Sequence, residues 1–375
     1  MWCYLLPILL LSGIYYVCIL LLIYSWDRHT VQRGVPKSTP IISIVIAARN
    51  EESNIEACIR SLLQQSYPEA QTEIIVVDDF STDNSYQIAT TFSQVKVLRL
   101  KDIAEEDSIR SGKKQCLEYG IQQAQGEYIL LTDADCIASP HWVRSTMSAF
   151  EELKADVICG TVCIEESDKY FNNLQALDLW SFLALTASTI GLGHPILANG
   201  ANFAFRKKLF FDVNGFEDSK QISSGDDIFL LHKFNRYGAK ISFNKSIESL
   251  ITTHAEDSLL DFMNQRIRWA SKTASYRNIA TLFVIIMFYT YYLSFPFLLI
   301  FAAVHPILIK WLAGALLAKS FIDFVYLRRV LNFFKKTRLL QLFLPAQFFH
   351  LMYVLITGAV ALFIPVRWKG RKLYR

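Results

Sequence analysis

The chain has 375 residues, 52% of them hydrophobic and 19% charged, with a formal net charge of +4. That length allows roughly two to three domains, and a charged fraction below the ~25% of an average soluble protein leans toward lipid. The 27 Phe, 17 Tyr and 7 Trp exclude a solvated coil. The net charge averages unlike parts: residues 41–278 carry 23 Lys+Arg against 32 Asp+Glu, a net of −9, while residues 27–40 carry +2 and residues 279–375 carry +11. The cysteines, Cys3, Cys18, Cys58, Cys116, Cys136, Cys159 and Cys163, include no C-x-x-C pair. That argues for buried thiols in a reducing compartment over a disulfide framework or a zinc site.

Residues 1–25 contain no charged side chain, and Trp26 closes the run. About 20 apolar residues cross a bilayer core, and the basic n-region and small-residue cleavage site of a signal peptide are missing. Residues 1–26 are therefore expected to form an uncleaved N-terminal transmembrane anchor. Arg28, Arg33 and Lys37 follow, so the positive-inside rule puts Met1 outside and the next domain in the cytoplasm.

The middle of the chain alternates β and α. Residues 41–48, 73–77, 95–100 and 127–132 are short apolar runs fit for strands. Between them residues 52–65, 85–92 and 113–124 read as helices, the first with Ile55, Ile59, Leu62 and Leu63 on one stripe. This order implies an α/β fold with a mostly parallel sheet. Such sheets bind ligands outside the carboxyl ends of their strands, where the polar clusters 49–51, 78–83 and 133–135 fall. Residues 170–205 hold one acid, Asp178, near Trp180, Phe182 and Leu183, then Gly191, Gly193 and Pro195. They read as a buried or interfacial helix followed by a loop.

Residues 279–366 form a C-terminal membrane region of two to three segments. Residues 279–304 are uncharged, 307–327 are interrupted by Lys310, Lys319 and Asp323, and 339–366 contain Pro345, His350 and Gly358. Arg328, Arg329, Lys335, Lys336 and Arg338 separate the last two segments, and residues 367–375 are a basic tail with Arg367, Lys369, Arg371, Lys372 and Arg375. Three C-terminal spans would put that tail outside, whereas the positive-inside rule wants both basic clusters inside. Residues 339–366 are the segment expected to be re-entrant or interfacial. Next to an apolar run, the tail fits anionic lipid headgroups better than nucleic acid.

Two acidic pairs follow strands. Asp133-Ala134-Asp135 can turn two carboxylates toward one polar site, as a hard divalent cation bridging phosphates needs. Asp78-Asp79 can accept from a nucleobase N–H or a ribose hydroxyl, although Ser81 or Asp83 there can instead cap the next helix. The histidines form no metal-ligand spacing, and neither a P-loop nor a G-x-S-x-G elbow is present.

In order along the chain, the residues Ala48-Arg49-Asn50-Glu51, Val77-Asp78-Asp79-Phe80-Ser81-Thr82-Asp83, Gly112-Lys113-Lys114, Thr132-Asp133-Ala134-Asp135, Asn199-Gly200-Ala201-Asn202, Gly225-Asp226-Asp227 and Gln265-Arg266-Ile267-Arg268-Trp269 resemble the motifs of family 2 glycosyltransferases. The resemblance covers about residues 41–272, and the Q-x-x-R-W element is shared with membrane members. It implies a cytoplasmic GT-A domain (the Rossmann-like nucleotide-diphospho-sugar transferase fold) over residues 41–278, interfacial helices included, in an integral protein of the cell (inner) membrane.

The resemblance also implies roles. Asp79, with Asp78, Glu51 and Arg49, would form the nucleotide-recognition edge, and Lys113 would contact the base or a phosphate. Asp135 and Asp133 would hold Mg²⁺ or Mn²⁺ on the donor diphosphate. Asp227, beside Asp226, would be the general base, its pKa raised by like-charge proximity. Asn199, Gly200, Ala201 and Asn202 would line the acceptor or sugar pocket. Gln265, Arg268 and Trp269 would hold the diphosphate and the acceptor end, with the Trp269 indole offering a face to a sugar ring.

Ala47 stands where the family frequently has Pro, Phe80 where it has Gly, and Gly225-Asp226-Asp227 where processive synthases have a Glu-Asp pair. The expected function is a membrane-anchored inverting glycosyltransferase, moving a sugar from a nucleotide-sugar (a UDP-sugar) to a lipid or lipid-linked glycan. The rivals are a processive polysaccharide synthase and a non-catalytic membrane scaffold.

Overall fold

Four of the apolar runs become neighbouring strands whose ends fall in register. The computed structural model describes residues 2–29, 34–106, 112–220, 222, 225–276, 279–363, 367–368 and 371–372; Met1, Arg33, Lys369 and Arg375 lie outside them. Strands β1 (Ile42–Ala48), β2 (Thr72–Asp78), β3 (Val95–Arg99) and β4 (Tyr128–Asp133) run parallel in the order β3-β2-β1-β4. Successive residues of β1 and β4 are buried whichever way they point, the pattern of a sheet covered on both faces. Helices α2 (Ile55–Leu63), α3 (Ser85–Thr90) and α4 (Gly112–Gln123) connect these strands, and α2 turns Ile55, Cys58, Ile59 and Leu62 inward.

The sheet continues from β4 through β8 (Phe203–Arg206), β6 (Val157–Cys159) and β9 (Ile241–Phe243), with β8 antiparallel to both neighbours. Strands β5 (Ile137–Ala138), β7 (Val162–Ile164) and β10 (Ile251–Thr253) form a second small sheet. Helices α5 (Trp142–Leu153), α7 (Lys207–Asp212) and α8 (Asp226–Tyr237) complete a unit spanning His29–Glu165, Thr189–Ala255 and Pro365–Arg375. In its last segment β11 (Arg367–Trp368) pairs with β12 (Arg371–Lys372).

Register decides what meets at the sheet edge. Ala48 pairs with Asp78 and Ala47 with Asp133 in the parallel ladders, and Leu131 pairs with Phe203 in the antiparallel one. The residues that follow β1, β2 and β4, and those that precede β8, therefore emerge together.

The other unit comprises Met1–Arg28, Glu166–Ser188 and Glu256–Ile364, so α6 (Tyr170–Gly191) and α9 (Leu259–Ser271) group with the apolar helices. In it α1 (Trp2–Arg28), α10 (Ile279–Ala302) and α11 (Leu308–Phe333) form a bundle. At one end Ile8 and Leu312 pack on Leu298, Ala302 and Leu308. At the other, Trp26 meets Phe333 and Phe334 with ring centroids 5.9 and 6.2 Å apart, and Asp27 pairs with Arg329. α1 and α11 thus run parallel, with α10 antiparallel to both. Among the described residues three helices are long and apolar enough to cross a membrane, at Leu6–Arg28, Thr281–Ala302 and Thr337–Ala361.

Two charges in the middle of α11, Lys319 and Asp323, are paired with each other. Lys319 donates to Asp323 at 2.7 Å and to Gln347 of α12 (Phe343–Phe363) at 2.6 Å, while Tyr15 donates to Asp323 at 2.6 Å. Ionisable groups in a membrane bundle persist when they satisfy each other in this way. α11 also runs on through Arg328 and Arg329, which the sequence suggested were loop, because Tyr326, Leu327, Val330 and Leu331 keep a buried stripe going to the end. α12 is one unbroken helix, with Pro345 in its first turn, where no intrahelical N–H bond is lost.

Asp178 is the polar centre of this unit. Arg266 of α9 donates to its Oδ2 from Nη2 at 2.6 Å and Nε at 3.2 Å. Its Oδ1 accepts from the Tyr353 hydroxyl at 2.6 Å and lies 3.0 Å from His350 Nδ1. Burial alone would raise the carboxyl pKa, but Arg266, with His350 and Tyr353, holds it down to about 2. The Arg266 guanidinium is itself walled by Phe262 and Trp269, 4.3 and 4.2 Å from its carbon.

Removing one partner of a buried pair leaves the other charge uncompensated, at a cost of about 3–5 kcal/mol. Asp178→Ala should therefore lose that much stability in thermal or denaturant unfolding of the detergent-solubilised protein. A depressed pKa also means that the carboxylate's contribution is complete above its unfolded value of about 4 and fades only as pH falls toward 2. A variant as stable as wild type at neutral pH would contradict this role.

Candidate active site

Four segments far apart in the chain converge on one ammonium group. Lys113, in the first turn of α4, places Nζ 2.6 Å from Asp133 Oδ1 at the end of β4 and 3.5 Å from Asp226 Oδ2 at the start of α8. Gly225 precedes α8 at φ +79°, a left-handed conformation that glycine adopts without steric cost, and it turns Asp226 and Asp227 into the site. Asp227 accepts from the backbone N–H of Gly200 at 3.1 Å and of Ile228 at 2.8 Å. Gly200 comes so close that a Cβ on it would lie 3.2 Å from Asp226 Oδ2 and 3.6 Å from Lys113 Nζ. Burial would lower the Lys113 pKa, but Asp133 and Asp226 hold it well above the ordinary lysine value, so the ammonium stays charged.

Asp135 sits beside this cluster in the turn after β4. Its carboxyl pKa is raised by burial first and then by the charges of Asp133 and Glu51, a concentration of negative charge that a cation would relieve. Among the described residues no group of three or more His, Cys, Asp or Glu is arranged to hold a metal ion. Asp133 and Asp135 therefore fit a divalent ion that takes one or two protein carboxylates and completes its shell with water or phosphate oxygens; they do not fit an ion caged by protein. Of the cysteines, Cys58, Cys116, Cys136, Cys159 and Cys163 are buried free thiols, as expected.

The ends of β1 and β2 form a second polar edge. Asp78 and Asp79 are buried. Asp78 Oδ2 accepts from the Ser81 N–H at 3.3 Å, while Oδ1 is buried with no hydrogen-bond partner among the described residues. A buried acceptor left this way costs free energy until a donor arrives. Arg49 donates to the Asp79 carbonyl at 2.7 Å and pairs with Glu106 at 3.1 Å. Glu51 donates its backbone N–H to the Ser85 hydroxyl at 2.7 Å, and its carboxylate accepts from Asn54 at 3.0 Å. The capping considered for this segment falls to Asp83, which accepts from the Ser85 N–H and the Glu52 N–H, both at 3.0 Å. Phe80 has φ +51°. The glycine frequent at that position in the resembling family thus has a conformational reason, and Phe80 holds the same turn under strain.

The expected sugar-pocket residues divide. Asn199 accepts from the Ala201 N–H at 3.0 Å and shapes the turn that presents Gly200. Asn202 turns inward: it accepts from the Trp142 indole N–H at 2.9 Å and donates to the carbonyls of Thr161 and Ser249 at 2.9 and 2.8 Å. Its amide is engaged in the core. Ala201 is likewise buried.

The remaining expected residues lie on α9 in the helical unit. Gln265 accepts from Arg266 and donates to Glu256. Trp269 does not offer two free faces, since the Arg266 guanidinium covers its ring and Phe182 meets it edge-on at 5.7 Å. Arg268 is half-buried on the same helix. The Asp178–Arg266 pair escaped the sequence reading, although one acid in an apolar helix and an unassigned arginine inside Q-x-x-R-W were its visible signs.

Residues 43–212 match the family model Glycosyl transferase family 2, and residues 128–366 match Glycosyl transferase family group 2. Similar curated proteins include glycosyltransferase AglE of Haloferax volcanii, 24% identical over 54% of this chain and 64% of that protein. A poly-beta-1,6-N-acetyl-D-glucosamine synthase of Staphylococcus epidermidis is 24% identical over 65% and 57%. A beta-monoglucosyldiacylglycerol synthase of Nostoc sp. is 25% identical over 66% and 52%. The chain therefore spans between about half and two thirds of the length of these relatives. The solved structure of a mannosyltransferase from Pyrobaculum calidifontis, in complex with GDP-Man and Mn²⁺, superposes with a TM-score of 0.59 at 17% identity, covering 96% of this chain and 99% of that one. That likeness shows a GT-A fold, and with a family model matched over more than half of its length the chain belongs to the family 2 glycosyltransferases.

Proposed function

We propose that the chain is an inverting, membrane-bound glycosyltransferase that moves one sugar from a nucleoside diphosphate sugar, UDP-linked in our reading, to a hydroxyl of a lipid or lipid-linked glycan. The observation that carries this reading is the convergence of Asp133, Lys113, Asp226 and the Gly200–Asp227 contact at one sheet edge. Beside it lies a base-recognition edge with an unpartnered Asp78 oxygen. A uracil or guanine ring presents an N–H that such an oxygen can accept from.

Each residue then has a task. Asp78 and Asp79 read the base, with Arg49 and Glu51 fixing their turn. A Mg²⁺ or Mn²⁺ ion held by Asp133 and Asp135 would neutralise charge growing on the departing diphosphate. Asp227, oriented by two backbone N–H donors, takes the proton of the acceptor hydroxyl as that oxygen attacks the anomeric carbon opposite the leaving group. Gly200 leaves room for the reacting groups, and Asp226 keeps Lys113 in reach of the phosphates. For Gln265, Arg268 and Trp269, on α9 of the helical unit, the diphosphate and acceptor roles rest on the motif alone. The similarity to a beta-monoglucosyldiacylglycerol synthase supports a lipid acceptor, as do the long apolar helices of this chain.

We also propose that α1, α10 and the internally paired α11 cross the cell membrane and that α12, although long and apolar enough to span, lies along its cytoplasmic interface. The parallel run of α1 and α11 puts the cluster 328–338 at the same end as Arg28, on the positive side of the rule. α12 lays Phe349 and Tyr353 against Phe262 of α9, with ring centroids 5.1 and 5.2 Å apart. It leaves Leu344, Phe348, Met352 and Ile356 exposed on a four-residue period, an apolar stripe suited to lipid. The tail then stays cytoplasmic. In sealed vesicles with the catalytic unit inside, a C-terminal tag should resist added protease until the vesicles are opened; cleavage in intact vesicles would refute the arrangement.

The catalytic proposal is tested by donor turnover in detergent. Asp135→Ala and Asp227→Ala should each lower transfer by about 10²-fold or more, and a chelator should abolish it. Full transfer by both variants would overturn the mechanism. Product length separates single transfer from polymerisation, with one added sugar expected and a ladder against it.

A further inference from the structure

Lys113 is doubly engaged where a donor and its cation would bind. Its ammonium lies 2.6 Å from an oxygen of Asp133, one of the two proposed metal ligands, and 3.5 Å from Asp226, next to the proposed base. Both carboxylates are fixed by backbone: Asp133 ends a central strand of the sheet and Asp226 opens α8. The lysine reaches them on a flexible stem of four carbons. Of the three groups it is the one able to move without disturbing an element.

A divalent ion held by Asp133 would bind a carboxylate that the ammonium already occupies. The two cations repel, so an ion arriving alone must first displace Lys113 from Asp133. A diphosphate arriving with the ion changes this, because its oxygens complete the ion's shell and also give the displaced ammonium a new anionic partner.

We propose that Lys113 is an internal counter-cation that makes metal and nucleotide binding cooperative, holding Asp133 while the site is empty and releasing it only when a diphosphate enters with the ion. This rests on the reading of Asp133 and Asp135 as the donor-metal site. Asp226 is the second anchor that keeps the released ammonium local. Gly200 carries no side chain at a point that would lie 3.6 Å from Nζ, so none crowds the ammonium there. Linkage requires the effect to be reciprocal: the diphosphate tightens Mn²⁺ binding by the same factor as Mn²⁺ tightens diphosphate binding.

The test is calorimetric titration of the full chain in detergent with Mn²⁺ alone, with UDP or GDP alone, and with Mn²⁺ at saturating UDP or GDP. Wild type should bind Mn²⁺ at least about 10-fold more tightly in the presence of one of the nucleotides. Lys113→Met should bind Mn²⁺ alone about 10-fold more tightly than wild type, and the gain from nucleotide should shrink. Lys113→Arg keeps the charge and should behave like wild type, and Lys113→Gln serves if the Met variant fails to fold. Unchanged or weaker binding of Mn²⁺ alone by the neutral variants, with cooperative binding intact in wild type, overturns the counter-cation role and leaves the metal site standing. If wild type binds neither nucleotide in a Mn²⁺-dependent way, the metal-site reading falls and the counter-cation with it.

Discussion

The candidate site is governed by one constraint: several carboxylates must share a small volume at a sheet edge without driving it apart. Asp133, Asp135, Asp226 and Asp227 meet there, and the Lys113 ammonium offsets part of their repulsion. The surrounding fold serves that arrangement. Parallel register brings the ends of β1, β2 and β4 level, while the antiparallel β8 returns the chain to the same edge from the opposite direction. The left-handed Gly225 points the start of α8 inward. A site that gathers negative charge before its ligand arrives is predisposed to bind a cation together with a polyanion, which is the form in which a nucleotide-sugar reaches an enzyme.

The helical unit solves the same electrostatic problem with the signs closed on themselves. Asp178 and Arg266 neutralise each other between α6 and α9, and Lys319 and Asp323 do so within α11. Such pairs are weak sources of net stability, because desolvation opposes their attraction. They do make alternative packings expensive, since any arrangement that separates the partners leaves a bare charge in an apolar setting. The net charge of +4 is thus the sum of an acidic middle region and basic flanks.

Much of this was legible in the residues. Apolar runs of strand length separated by helical stripes, with acids at their carboxyl ends, specified the sheet and the edge that carries the site, since periodicity and strand polarity are local properties. What escaped depended on partners distant in sequence. That the Asn202 amide is taken by Trp142, Thr161 and Ser249 could not be read from its own segment. At Trp269 the Arg266 guanidinium covers one face, so a sugar ring would have to use the other. Arg328 and Arg329 read as loop because charge counts against a span, whereas the buried stripe beside them carries the helix on. Phe80 shows the reverse case, in which a departure from the family pattern became intelligible only through its backbone angle.

The central claim is that Asp133 and Asp135 receive a divalent ion together with the diphosphate of a donor whose base lies against Asp78 and Asp79. Anomalous diffraction from crystals of the full chain grown with Mn²⁺ and UDP or GDP tests it most directly. The account predicts one Mn²⁺ peak within bonding distance of an Asp133 or Asp135 carboxylate and of a phosphate oxygen, with the base N–H on Asp78. A Mn²⁺ peak remote from both aspartates, or a nucleotide bound with its base elsewhere, would contradict it.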